Sequence, residues 1–531
     1  MRKVLYTFTL VFVLILTLSS CGEDEHTHEF SEWSVIQNAT CTIEGTEERT
    51  CSCGEKETKP INALGHTEII DSAVAATCTA DGKTEGKHCS VCNEVLIAQT
   101  TISALGHTEV IDSAVAATYT TRGKTEGSHC STCQIILVEQ QEISSIWDGK
   151  TTVEPSTIVN INGTYYYQIN SAEELAFLAN PNISDDWAYK YNYILGCNIV
   201  LNPTIEYDEN GKLLSDPETL NMWNPIGTDS IYTGWSFGKL FDGNGYTISG
   251  IYCISSKNYV GLFSKVGTVL NLAVENSYIQ GYSTVGGICG YIGNEIENCS
   301  FEGVVRGECV GGILGTTDGF CSYTVNNCTN YGTVIGSEYA AGISYWSNRG
   351  LSNCTNYGKI ISTNGGSAGI SAKIRNSSGT LSYCKNYGTI NGYENAGGIV
   401  ALAESEYAGI TNCTNYGIIT GNSNVGGICG NLHSGTISYC VNMEKIEGAS
   451  NIGGISGNVV YGNIRSCHNL SPVYGENKVG ALVGESDIFN ATISQCFYLK
   501  SDTINANITG ISNLADSVGS CESKDEAFFE N

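Results

Sequence analysis

A cysteine returns every 26 to 30 residues across the second half of the chain, at Cys299, Cys328, Cys354, Cys384, Cys413, Cys440, Cys467 and Cys496. A period of that length, held over eight copies, restricts the chain to a stack of small units, because one such unit cannot bury an apolar face by itself. Several of these cysteines are followed by Asn, an aromatic residue and Gly: Asn330-Tyr331-Gly332, Asn356-Tyr357-Gly358, Asn386-Tyr387-Gly388 and Asn415-Tyr416-Gly417. Upstream lies a Gly-Gly-Ile step, as at Gly286-Gly287-Ile288, Gly311-Gly312-Ile313, Gly397-Gly398-Ile399, Gly426-Gly427-Ile428 and Gly453-Gly454-Ile455. The Ile/Val runs between these anchors have the length of short strands, and no helical period survives Gly this frequent. The sequence therefore predicts a mostly β chain: a parallel β-helix of about 28 residues per coil, with equivalent positions stacked about 4.8 Å apart.

In such a stack Asn and Gly are expected at the corners, where positive φ is tolerated, with Asn also bonding backbone groups along its ladder. Cys suits an inward position as a small hydrophobe. Stacked cysteines keep nearly parallel Cα–Cβ vectors and Cβ atoms close to the strand spacing of about 4.8 Å. A disulfide needs about 3.5–4.5 Å between Cβ atoms and a dihedral near 90°. The eight ladder cysteines are therefore expected to be buried free thiols.

The strings Val-Gly-Gly-Ile-Cys-Gly and Asn-Cys-Thr-Asn-Tyr-Gly resemble the GLUG repeats of bacterial surface proteins, over roughly residues 255–500. That resemblance implies a right-handed β-helix over 256–500 and a place on the cell surface. Glu444 stands where a Gly is expected, and Ala481 replaces the second Gly of its step. Residues 147–255 read as an N-terminal cap with the first coils, since a solenoid must shield its open edge. Within it, Ser171-Ala172-Glu173-Glu174 has capping-box spacing ahead of Leu175, Ala176 and Leu178 and predicts a short helix. Asp242, beside Gly243, reads as a turn former. The repeat is lost over 501–531, a C-terminal cap or tail.

At the other end, Arg2 and Lys3 precede an uncharged run from Val4 to Leu18 and then Ser19-Ser20-Cys21. Basic, apolar and small residues in that order make an export signal over 1–20. The Leu-small-small-Cys box resembles that of bacterial lipoproteins, which implies lipid on Cys21, a membrane anchor and an acidic tether over 21–27. Nothing else in the sequence approaches the roughly 20 apolar residues needed to span a bilayer.

Residues 28–144 are three copies of a small unit. Ala63-Leu64-Gly65-His66-Thr67-Glu68 recurs as Ala104-Leu105-Gly106-His107-Thr108-Glu109, a shift of 41, and Cys89 and Cys92 recur as Cys130 and Cys133. A divergent first copy carries Cys41, Cys51 and Cys53. Each copy reads as a few short strands and turns, too small to bury much without a metal, a disulfide or its neighbours. Two Cys with two residues between them, with a further Cys and a His nearby, can close a tetrahedral zinc site. The second copy offers Cys78, Cys89 and Cys92 with His66 or His107, and the first offers Cys41, Cys51 and Cys53. In the third copy Tyr119 replaces the Cys78 equivalent, which predicts a weaker site or none there. A bridge within the copy, or inert buried thiols, remain open beside zinc. The copies resemble Cys-rich repeats found in tandem on surface proteins of gut anaerobes, a likeness that implies no ligand.

Acidic residues number 54 against 26 basic, a net charge of −28. Such a surface repels phosphate backbones and excludes nucleic acid as a partner. Glycan-cleaving β-helices need clustered carboxylates. Between Gly267 and Lys500 the only Asp residues are Asp318 and Asp487. Glu404 and Glu406 share a strand face with no partner expected one coil away, and His433 and His468 lie off the repeat period. No catalytic residue is assigned. Tyr331, Tyr357, Tyr387 and Tyr416 occupy equivalent places in successive coils, either as a packing ladder or as a line of aromatic faces for sugars or a protein. The sequence thus reads as an envelope-anchored, non-catalytic, adhesive β-helix, with a polysaccharide lyase or hydrolase as the alternative.

Overall fold

The computed structural model describes residues 27–180, 191–227, 239–317, 324–348, 350–375, 379–486, 490–499, 518–519 and 522–524. Cys21, the export signal, Asp318 and Asp487 lie outside the described residues. The chain divides into two units: one contains residues up to Val110 together with His129–Ile136, the other Ile111–Ser128 and everything from Leu137 onward.

The first unit is built of short antiparallel strands. Ser34–Gln37, Gly45–Thr50 and Lys56–Ile61 form one three-stranded sheet, and Glu68–Asp71, Gly86–Cys89 and Val95–Ile97 another. Its aliphatic side chains face solvent, Leu64, Ile70, Val91 and Val95 among them. The buried apolar side chains among its described residues are the five cysteines Cys41, Cys51, Cys78, Cys89 and Cys130. A unit with that little apolar burial cannot offset its chain entropy by packing alone.

The second unit is a right-handed parallel β-helix. Two long sheets run through it, of 24 and 19 strands among the described residues, parallel except for one antiparallel pair at the N-terminal end of each. Register follows the sequence period residue by residue: Val334 pairs with Ile360, then Ile390, Ile419, Ile446 and Val473. Those steps match the cysteine steps from Cys328 to Cys467. The inward residues form one continuous core of Ile, Val, Leu and Cys, nearly all without solvent contact. Each ladder thiol lies against its own coil's backbone, as Cys354 Sγ does at 3.3 Å from the Ser352 carbonyl and Cys440 Sγ at 3.3 Å from that of Ser438. Burial pushes the Cys328 and Cys440 thiols well above their ordinary pKa.

Asn does occupy left-handed corners, though not the Asn of Asn-Tyr-Gly. One such corner is the residue before each cysteine: Asn298, Asn327, Asn353 and Asn412 at φ 50–55°, with Tyr383, Tyr439, Ser466 and Gln495 in the same role, and a second recurs at Asn395, Asn424 and Asn451. The Asn of Asn-Tyr-Gly lies instead on a strand, fully buried. Asn330, Asn356, Asn386, Asn415, Asn442 and Asn469 form a directed chain in which each Nδ2 donates to the next Oδ1 at 2.8 Å. The second N–H of each goes to the carbonyl two residues on, such as Gly358 at 3.0 Å or Glu444 at 2.9 Å. Since that bond uses only a carbonyl, Glu444 keeps it. Glycine is required by close approach: a Cβ on Gly427 would overlap the Gly454 carbonyl and crowd the Asn442 amide. Ala481 stands where the asparagine ladder ends, its carbonyl accepting the Asn469 Nδ2 at 3.0 Å.

In the N-terminal part of this unit the expected helix spans Ala172–Leu178. Ser171 Oγ accepts the Glu174 N–H at 3.3 Å, and Glu174 Oε2 reaches back to the Asn170 N–H at 2.6 Å, one residue earlier than in the usual capping box. The helix buries Leu175 and Leu178 in the same core that holds Trp223. Asp242 closes a turn by accepting the Asn244 N–H at 2.8 Å.

Candidate metal centres

Three Cys/His clusters stand out in the first unit, and each could hold a metal ion. Their donor atoms lie within 4.8 Å of one another: Cys41, His66, Cys89 and Cys92; Cys78, His107, Cys130 and Cys133; and His28, Cys51 and Cys53. This corrects the grouping expected from sequence. Cys78 does not join Cys89 and Cys92, nor does Cys41 join Cys51 and Cys53. Each complete set takes one Cys from one copy and a His plus a Cys pair from the next stretch of chain. The third copy's Cys130 and Cys133 accordingly belong to a full four-donor set, and Tyr119 costs them nothing.

Backbone bonds explain the regrouping. The Ala-Thr-Cys-Thr turn at Cys41 is tied to the residues before His66 by the Leu64 N–H to Thr40 O bond at 2.9 Å and the Gly65 N–H to Cys41 O bond at 3.0 Å. The same two bonds recur between Leu105 and Thr77 and between Gly106 and Cys78. The histidine is thus held beside the earlier cysteine. A tight knuckle supplies the pair: Asn93 N–H bonds Cys89 O at 2.8 Å and Gln134 N–H bonds Cys130 O at 2.9 Å, with Asn93 and Gln134 at φ 60° and 61°. In the second unit Ile146 N–H bonds Thr118 O at 2.9 Å in the same way. The sequence there reads Ile-Trp-Asp where Leu-Gly-His stood, so the Tyr119 turn faces a copy end with no histidine to serve.

The spacings fit a tetrahedral ion. With Zn–S near 2.3 Å and Zn–N near 2.0–2.1 Å, tetrahedral edges come to about 3.8 Å between sulfurs and about 3.5 Å between sulfur and nitrogen. Cys41 and Cys89 sulfurs stand 3.7 Å apart, those of Cys78 and Cys130 3.8 Å. Cys92 and Cys133 sulfurs lie 3.5 Å from Nδ1 of His66 and His107. A disulfide would bring two sulfurs to about 2.05 Å. Nε2 of His66 faces Glu94 at 3.4 Å, the carboxylate partner that orients a ligating imidazole. Backbone N–H groups, that of Cys92 foremost, pull the Cys89 thiol down to about 5, and the Cys133 N–H does the same for Cys130. Burial pushes Cys41 up to about 12 and Cys78 to about 11. Sequence reasoning missed His28 as a donor and gave Cys130 and Cys133 a weak site at best, although the shift of 41 residues had already aligned them with Cys89 and Cys92.

On the β-helix, Tyr331, Tyr357, Tyr387 and Tyr416 stack ring on ring, with centroids 5.3, 4.9 and 4.7 Å apart and planes within 8°. Their inner faces are taken up by one another, and all four residues stay exposed at the surface. The row continues in register with Glu302 on one side and Met443 on the other. Glu404 pairs with Arg375 at 3.3 Å, His433 packs edge-on to Tyr461, and His468 packs edge-on to Phe497. One vertical carboxylate pair escaped the sequence reading. Glu275 and Glu302 lie one coil apart, and burial, then the Glu302 charge, raises the Glu275 pKa. Among the described residues no helix is long and apolar enough to cross a membrane.

No family model matches the chain. A stretch of 162 residues is 30% identical to Halomucin of Haloquadratum walsbyi, covering 29% of this chain and 2% of that protein. Among solved structures, a "putative immunoglobulin A1 protease" from Bacteroides ovatus aligns with 68% of this chain and 85% of its own at 14% identity and a TM-score of 0.29. At that score the likeness carries no argument about activity.

Proposed function

We propose that the chain is a lipid-anchored, non-catalytic protein of the bacterial cell envelope whose β-helix, GLUG-like in sequence, binds glycans or surface proteins. In this reading the N-terminal copies hold zinc at the two four-donor sites, and nucleic acid is no partner. The observation that carries the binding role is the stacked tyrosine row. Because the inner faces are covered, it suits hydrogen bonding along an extended polymer better than stacking under single sugar rings. Four hydroxyl-bearing edges at a spacing of 4.7–5.3 Å form a rigid comb that needs no ordering on binding.

A glycan array probed with the full chain and with Tyr357→Ala/Tyr387→Ala tests this. Binding by the parent and its loss in the variant are expected. Equal binding by both moves the surface elsewhere. Incorporation of a fatty-acid label that Cys21→Ala abolishes supports the anchor, and unchanged label removes it. Two zinc ions per chain by elemental analysis, after purification under reducing conditions, support the metal reading.

The Glu275/Glu302 pair favours a second reading, a glycan-cleaving enzyme, since two carboxyls one coil apart, one of them raised by burial and by its neighbour, are the kind of pairing that glycoside hydrolysis uses. Release of reducing ends from polysaccharide, abolished by Glu302→Gln, supports that reading. Its absence across a polysaccharide panel leaves the binding role.

A further inference from the structure

The tyrosine row lies in a band of the β-helix whose charge runs against that of the whole chain. We infer that the ligands of this row are anionic glycans, polymers with carboxylate or sulfate on their sugars, held by Lys359 and Lys385 on its two flanks. The inference rests on the binding role proposed for the row.

Alternation along the strand sets the lysines beside the rings. Lys385, Tyr387 and Thr389 are exposed while Asn386, Gly388 and Ile390 are buried, and the same alternation runs from Thr355 through Tyr357 and Lys359 to Ile360. Each flanking residue is thus two positions from its tyrosine, roughly 6–7 Å along the strand. Register extends the flanks into rows. Thr329, Thr355, Lys385 and Thr414 pair coil to coil on one side of the tyrosines. On the other side Thr333, Lys359, Thr389 and Ile418 each precede a member of the paired series Val334, Ile360, Ile390 and Ile419. Lys359 and Lys385 therefore stand on opposite flanks in successive coils.

The four tyrosine coils are also a stretch without carboxylates. From the residue before each cysteine to the seventh after it, the coils of Cys328, Cys354, Cys384 and Cys413 contain Lys359 and Lys385 and no Asp or Glu. The same span holds Glu302 in the coil before them, and Glu444 and Glu447 in the coil after. In a chain with 54 acidic residues against 26 basic, that is a local reversal of sign. Elsewhere on the solenoid cationic side chains are matched with carboxylates: Arg375 with Glu404 at 3.3 Å, Lys445 with Glu447 at 2.7 Å and Lys478 with Glu485. Lys359 Nζ instead meets neutral acceptors, Asn210 Oδ1 at 3.1 Å and the Glu209 carbonyl at 3.4 Å.

The chemistry of the band points to the ligand. At physiological ionic strength charges beyond about 8 Å are largely screened, so an anion here is governed by the two ammonium groups and not by the chain's distant carboxylates. The tyrosine and threonine hydroxyls beside them donate hydrogen bonds to anionic oxygens as readily as to sugar hydroxyls. A neutral glycan would leave both ammonium groups without an anion. A glycan with one anion per sugar is also far less densely charged than a duplex, with its charge about every 1.7 Å, so the net charge that excludes nucleic acid does not exclude it.

Titration of the full chain at physiological ionic strength with polygalacturonate, dextran sulfate and neutral dextran tests this. An acidic polymer should bind about tenfold more tightly than dextran, two exposed charge contacts being worth roughly threefold each. Binding of polygalacturonate alone assigns the carboxylate, and of dextran sulfate alone the sulfate. Lys359→Gln/Lys385→Gln should remove that tenfold preference, and Lys385→Arg should keep it. Because Lys359 also bonds Asn210, Lys385→Glu is the second variant; it changes an exposed side chain only and should weaken the acidic polymer about tenfold by itself. Acidic binding that survives both variants, or dextran bound as tightly as the acidic polymers, overturns the inference and leaves the glycan-binding reading standing. No acidic polymer bound by the parent overturns it as well, and a blank glycan array would then remove the binding role of the row with it.

Discussion

Replacing Asn386 by Ala breaks the asparagine ladder at its middle. The side chain is fully buried. Its Nδ2 donates to Gly388 O at 3.0 Å and Asn415 Oδ1 at 2.8 Å, and its Oδ1 accepts from Asn356 Nδ2 at 2.8 Å. Truncation strands three buried polar groups, at about 1–3 kcal/mol each when nothing replaces the bond. Two are partly compensated: Asn415 Oδ1 keeps the Gly417 N–H at 3.2 Å, and Asn356 keeps the Gly358 carbonyl at 3.0 Å. A water in the vacated space would find three polar partners, enough to hold it. The expected cost is therefore near the low end, about 3 kcal/mol. Long repeat stacks unfold with imperfect cooperativity, so the measurement is native-state hydrogen exchange. The amides of Tyr387 and Tyr416, which bond Asn356 O and Asn386 O at 2.7 Å, are the reporters. They should exchange about a hundredfold faster, each factor of ten being about 1.4 kcal/mol. Asn415→Ala should cost a similar amount. The double variant should cost less than both together by about 1–2 kcal/mol, because the bond they share is lost once. Additivity within about 0.5 kcal/mol, or single costs below about 1 kcal/mol, would refute the idea that the ladder acts as one hydrogen-bonded chain.

Cys41→Ser should remove one zinc per chain and loosen both copies that it joins, seen as proteolytic cleavage on both sides of His66, whereas loss confined to the first copy would contradict the shared site. The eight cysteines from Cys299 to Cys496 should resist a thiol reagent in the native chain and react after denaturation; fewer than half reacting when denatured without reductant would show cross-linking. Cys384→Asp should disrupt its coil far more than Cys384→Ala, since it buries an unpaired charge where the other leaves a small cavity, and equal melting temperatures would argue against an inward thiol. In the metal-free chain, Cys89 and Cys130 have folded pKa values near 5, below the ordinary 9. Their contribution is complete above pH 9, shrinks as the pH falls and is gone below about 5; a melting temperature of the first unit that rises on acidification across that window would reverse the sign.

The β-helix was legible because its repeat acts through local identity. One cysteine per coil, with its Gly and Ile companions, dictates the strand register, and the cysteine steps equal the pairing steps from Val334 to Val473. The roles within a coil were less legible. Asn386 and Asn353 look alike in sequence, yet one is a buried ladder rung and the other a left-handed corner, and only the neighbouring coil separates them. The metal sets escaped for a similar reason. Aligning copies at a shift of 41 residues invites each to be read as self-contained, whereas Cys41 and Cys78 serve histidines beyond their own knuckles. Tyr119 then looks like a defect when it marks the last turn of the series.

That offset has a consequence for how such an array changes length. Because every complete site is split across a junction, adding or deleting one 41-residue segment by recombination between copies inserts or removes a whole donor set and leaves no cysteine stranded. The number of copies can vary without redesign of any one of them, so long as the series still finishes on a copy with tyrosine at the turn. The reach of the array is thereby a heritable quantity that can be tuned in steps, independently of the solenoid beyond it.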